Sequence, residues 1–156
     1  MNVLLGVLLF FVTFCYAQTT DIEKKSIYEY SDNDIVSNSW INDYFLIKRI
    51  FLYPILISHI DELDISPQQL DTIRTFYREN LYTMIEKARK VKEYQDELYD
   101  LILHGGETKK IKELIIEIAK LKAELTAYNV KEIRTIQNTL STDQYETLLE
   151  YINQNE

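Results

Sequence analysis

Only three glycines and two prolines occur in the 156 residues, and two of the glycines are adjacent, Gly105-Gly106. Glycine lets a backbone reverse through the left-handed region with no Cβ penalty. A chain so short of it has few places to turn tightly, so this pair marks one sharp reversal. On its N-terminal side Leu70, Tyr77, Met84, Val91 and Leu98 recur every seven residues. Ile73, Tyr94 and Leu101 fill the companion row, interrupted by Asn80 and Lys87. That spacing predicts a long helix over 66–103 with a coiled-coil-like seam. Gly105-Gly106 supplies its stop. Beyond the turn, Ile111, Leu114, Ile118, Leu121, Leu125 and Tyr128 share one face of a second helix over 107–139. Two long helices joined by so short a turn form an antiparallel hairpin. Nothing reads as a strand pair, so the expected class is all-α.

The hairpin is bracketed by two copies of one short motif. The first is Ile65-Ser66-Pro67-Gln68-Gln69 and the second is Leu140-Ser141-Thr142-Asp143-Gln144. Each reads as a capping box, in which Ser66 or Ser141 accepts from the amide three residues on. Gln69 or Gln144 then reaches back to the serine amide. Pro67 falls at the first helical position, where a missing N–H is harmless. Asp143 falls where the helix dipole favours a negative charge. A short last helix over 141–152 follows, with Tyr145, Leu148, Leu149 and Ile152 apolar.

The N-terminal part divides three ways. Residues 1–17 read as a secretory signal peptide, with an apolar run over 3–14 and small residues before a cut at Gln18. The segment carries no Lys or Arg, and two other readings stand beside cleavage: lipidation at Cys15, disfavoured by bulky Phe14, and an uncleaved anchor. After cleavage no cysteine remains, which removes disulfides, thiol chemistry and cysteine-bound metals together. No later segment is long and apolar enough to span a membrane. Residues 18–38 are polar and read as a flexible tether. Residues 39–156 form one helical domain. Within it, 40–63 reads as an apolar helix, kinked or restarted at Pro54. It either packs on the hairpin or serves as a self-association or client surface.

The formal net charge is −8, and its distribution is uneven. Residues 21–64 carry nine acids and four bases, and 140–156 carry four acids and no base. Thirteen of the 17 lysines and arginines lie on the two hairpin helices. Overall acidity argues against nucleic-acid binding. No phosphate loop, nucleophile elbow or zinc-protease motif is present, so neither an enzyme nor a cofactor is expected. His59 and His104 are the only histidines, and neither has a metal-ligand neighbour at helical spacing.

The paired motifs, the hairpin between them and the leader resemble the Spy/CpxP family of periplasmic helical chaperones and stress regulators, whose repeat is LTxxQ. The resemblance covers roughly residues 57–151. Here isoleucine replaces the leucine of the first copy, and serine replaces threonine in both. It implies a cradle-like antiparallel homodimer in the periplasm, binding unfolded or misfolded proteins without ATP during envelope stress. On that basis Arg74, Arg78, Arg89, Lys112, Lys120, Tyr77 and Tyr94 are the expected client-binding residues. Lysines and arginines would steer acidic clients, and the tyrosines would offer apolar bodies with polar tips. Ser66, Gln69, Ser141 and Gln144 are structural caps. Two alternatives remain: a regulatory module of an envelope-stress sensor kinase, and a metal-responsive periplasmic protein acting through His59 or His104.

Overall fold

The computed structural model describes residues 30–154. The leader, Cys15 and residues 18–29 lie outside the described residues. The order is α1 (Asp32–Ser37), a 3-10 helix (Asn38–Tyr44), α2 (Tyr53–Ser58), α3 (Pro67–Leu103), α4 (Thr108–Thr139) and α5 (Thr142–Gln154). Among the described residues there is no strand, and no helix is long and apolar enough to cross a membrane. The protein is all-α, built on a long hairpin of α3 against α4.

The seam forms where the heptads place it. Ile73, Tyr77, Met84 and Val91 of α3 are fully buried in one core with Ile118, Leu125 and Ile136 of α4, and Leu114 is buried nearer the glycine turn. The 37 residues of α3 run for roughly 55 Å. It ends at His104, followed by Gly105 at φ +75°. The Gly106 amide then donates to the Leu101 carbonyl at 2.7 Å, the six-to-one bond of a Schellman stop. Gly106 has a separate requirement. A Cβ there would lie 2.6 Å from the Leu101 side chain.

Two expectations are corrected. Residues 32–38 do not belong to a flexible tether. Ser31 and Asp34 form a capping box, and the following turn buries Ile35 at 2% exposure. A polar composition hid a capped helix whose single apolar anchor is enough to dock it. The apolar stretch 40–63 restarts at Pro54, as one of its two expected readings has it, but the residues before Pro54 are not the helix expected. The segment is a 3-10 helix, then a non-helical stretch over 45–52, then α2 with Pro54 in its first turn. Pro54 therefore starts a helix, as its missing N–H permits. The stretch before it is held out of helix by α4 side chains that take its backbone groups, Thr126 at Leu46 and Asn129 at Ile50.

α1, the 3-10 helix, the 45–52 stretch, α2 and α5 all gather at the end of the hairpin away from the glycine turn. Leu148 of α5 is fully buried there, and His59 stacks on Tyr151 at 4.0 Å. This end is the body of the protein. The rest of the hairpin projects from it as a two-helix arm. No residue of α3 beyond Val91 is fully buried.

Candidate functional site

Both capping boxes form, and they meet. Ser66 accepts from the Gln69 amide and Ser141 from the Gln144 amide, while each glutamine carbonyl takes the serine amide at 3.0 and 2.9 Å. The amide nitrogens do something the sequence does not announce. Gln69 donates to the Gln144 carbonyl at 2.8 Å and to the Thr139 backbone at 3.1 Å. Gln144 donates to the Leu63 and Asp64 carbonyls, each at 3.0 Å. Two motifs 75 residues apart thus become one junction, each closing the chain entry of the other. Asp64 at φ +49° makes the sharp turn that brings its carbonyl there.

The most consequential polar cluster is one that sequence reasoning missed. Arg49 from the 45–52 stretch pairs with Glu132 of α4 at 2.8 Å, with side-chain exposures of 1% and 0%. Tyr77 donates to the other carboxylate oxygen at 2.8 Å, and Arg49 also donates to Asn42 at 2.9 Å. The guanidinium lies over the Phe51 ring at 3.9 Å, while its Nε has no acceptor among the described residues. Burial pushes the Glu132 carboxyl up, against the opposing pull of Arg49, Tyr77 and Asn129. Burial and the Glu132 charge hold the Tyr77 phenol well above its ordinary range, so it remains a donor. A lone arginine in an apolar run was the available signal, and Glu132 gave none.

The expected client-binding residues are not brought together. Tyr77 is completely buried and is corrected from client contact to core donor; its place on the heptad seam already puts it inside. Arg74 is engaged with Asp32, which also accepts from Tyr53. Arg78 pairs with Asp71 and Arg89 with Glu86. Tyr94 is half-buried, with Lys90 over its ring at 5.6 Å. It borders a small groove of about 200 Å³ with Leu114, Glu97 and Lys110. Lys112 and Lys120 are exposed, and among the described residues neither forms an ion pair. A larger groove of about 360 Å³ lies between Lys87, Glu124, Ala127, Tyr128 and Lys131. Among the described residues no cluster of three metal-ligating side chains occurs. His59 is occupied in its stack, and His104 caps α3 beside Asp100.

What the arm does carry is apolar surface. Tyr99, Ile102, Leu103, Ile115 and Ile116 are 67, 59, 60, 50 and 63% exposed. Among the described residues no flanking element reaches them. No family model matches the chain, and no curated protein or solved structure matches it either. Its function has to be argued from these residues.

Proposed function

We propose that this protein is an ATP-independent, chaperone-like binder of unfolded or partly folded proteins, exported to the periplasm and active in envelope stress. The observation that supports this reading most is the bare arm. Five large apolar side chains stand half or more exposed there, on the same arm as the exposed ammonium groups of Lys112 and Lys120. So many large apolar side chains left exposed on one short arm mark an interaction site. Aliphatic and tyrosyl groups hold any apolar segment without demanding a sequence, and nearby charge steers acidic chains at short range. Such binding is weak and reversible and needs no nucleotide. The client contact accordingly moves from Arg74, Arg78 and Arg89, which are engaged in ion pairs, to the arm. A homodimer would bring two arms into one larger surface.

The test is aggregation of a chemically unfolded protein with and without this chain, in the absence of ATP. Near-stoichiometric suppression is expected, with a several-fold loss in Ile102→Glu/Ile116→Glu. Both changes are on exposed positions, so stability should move by less than about 0.5 kcal/mol. No suppression by the folded wild-type chain would overturn the reading and favour a regulatory module with one specific partner.

A further inference from the structure

We propose that residues 45–52 form a releasable strap, docked on α4 through one row of polar side chains, whose opening frees the strap's own apolar side chains to move onto a partner. The link to client capture rests on the function proposed above; the strap's motion does not.

The strap is inside out. Leu46, Ile47 and Ile50 face solvent at 57, 61 and 51% exposure, while Arg49 points inward at 7%. An ordinary docked segment does the reverse, burying its aliphatic groups and leaving its charge wet. Its polar attachments to the hairpin come from α4 side chains, and Arg49 has one further bond, to Asn42 of the 3-10 helix. The Leu46 amide donates to Thr126 Oγ1 at 3.0 Å. The Ile50 amide donates to Asn129 Oδ1 at 3.0 Å, and its carbonyl accepts from Asn129 Nδ2 at 2.8 Å. Arg49 completes the row at Glu132. Thr126, Asn129 and Glu132 are spaced three apart, so they share one face of α4. None of these bonds uses the α4 backbone, and the strap can leave without disturbing the helix.

The energetics point the same way. A buried ion pair repays little beyond its own desolvation, and this one leaves Arg49 Nε without an acceptor among the described residues. Opening returns Arg49 to water at the expense of its bond to Glu132 and of its contact with Phe51, while Leu46, Ile47 and Ile50 have little packing to lose. Phe45 and Leu52, at 6% and 1% exposure, anchor the two ends, so the segment opens as a loop and does not peel away. In the open state Leu46, Ile47 and Ile50 gain freedom to meet an apolar partner.

Amide hydrogen exchange on the full chain tests this directly. The Leu46 and Ile50 amides are expected to exchange together, at least about tenfold faster than those of Leu81 and Leu125. Asn129→Ala should accelerate both by about tenfold more, leaving the two core amides unchanged. Leu46 is the diagnostic amide, because its acceptor is Thr126 and not Asn129. If Asn129→Ala does not fold, Thr126→Val takes its place with Ile50 as the remote reporter. Acceleration of the directly bonded amide alone, or exchange of both only at the core rate, overturns the strap. In the aggregation assay the opened variant should suppress at a lower ratio than wild type. Equal suppression with faster strap exchange overturns the strap's part in client capture. Suppression by neither protein overturns client binding and that part together, while the exchange result for the strap stands.

Discussion

The two ends of the hairpin share helices, spacing and composition, yet one end is a body and the other a bare arm. At the body, the Tyr77 and Leu125 positions face a third layer supplied by α1, the strap, α2 and α5. At the arm, the same heptad register continues through Leu98 and Leu101, which are only half-buried. A single stripe buries a two-helix pair on one side each and leaves the other faces wet. The heptad therefore settles pairing, and the presence of a covering layer settles burial. Stability and recognition separate along the length of one motif: the body holds the fold, and the arm is free to be apolar.

The largest effects should fall on the body. Glu132→Ala takes the acceptor from the buried Tyr77 hydroxyl and empties the site on which Arg49 docks, and is expected to cost about 3 kcal/mol in chemical denaturation. A loss below about 1 kcal/mol would show that Arg49 simply leaves, which would sharpen the case for a loose strap. Next comes a direct contrast between the ends. Leu125→Ala, at a fully buried site, should lose about 2–5 kcal/mol. Leu98→Ala, at a half-buried site in the arm, should lose about 1 kcal/mol or less. Equal losses would break the distinction between body and arm, since they would mean that something covers the arm.

The junction of the two motifs lies below these in size. Ser66→Ala and Ser141→Ala each remove a cap worth about 1 kcal/mol. Gln69→Ala and Gln144→Ala remove a cap and the bond between the two copies. Their double-mutant cycle should show a coupling of about 0.5–1.5 kcal/mol by thermal or urea unfolding. Strict additivity would mean that the glutamines act only as local caps.

The helices of the hairpin, its glycine stop, both capping boxes and the last helix were legible in the sequence because each depends on local chemistry. Heptad spacing, Gly105-Gly106 and Ser-x-x-Gln act within a few residues of themselves. The N-terminal part was not legible for the opposite reason. Residues 45–52 look helical until Thr126 and Asn129, some 80 positions away, take their backbone bonds. Ser31-x-x-Asp34 is a readable box, masked by the polar composition around it. The site was less legible still. Tyr77 looked like a tip for clients but lies on the seam, and the paired arginines looked free because their carboxylates come from helix neighbours or from α1. Exposure at Ile102 and Ile116 follows from what fails to cover them, which no local pattern encodes.

The smallest expected effect concerns how α1 is fastened to α3. Asp32 accepts from both Arg74 and Tyr53. The hydrogen bonds from Arg74 hold its carboxyl below the ordinary aspartate range. A carboxyl lowered by folding adds stability that is fully present above its unfolded value and is lost as the pH falls through its folded one. The Arg74 and Asp32 side chains are 38% and 30% exposed, so solvent screens the pair and its contribution is modest. Asp32→Asn should therefore unfold slightly earlier than wild type at neutral pH. The gap should close in acid, where the wild-type carboxyl is protonated too. Urea unfolding of both proteins across the acid range reads the difference and cancels the carboxylates they share. A gap that persists in acid would assign the role of Asp32 to its place in the first turn of α1 and not to its charge. The fastening of α1 would then be apolar, through Ile35, and the body would be held by packing alone at that corner.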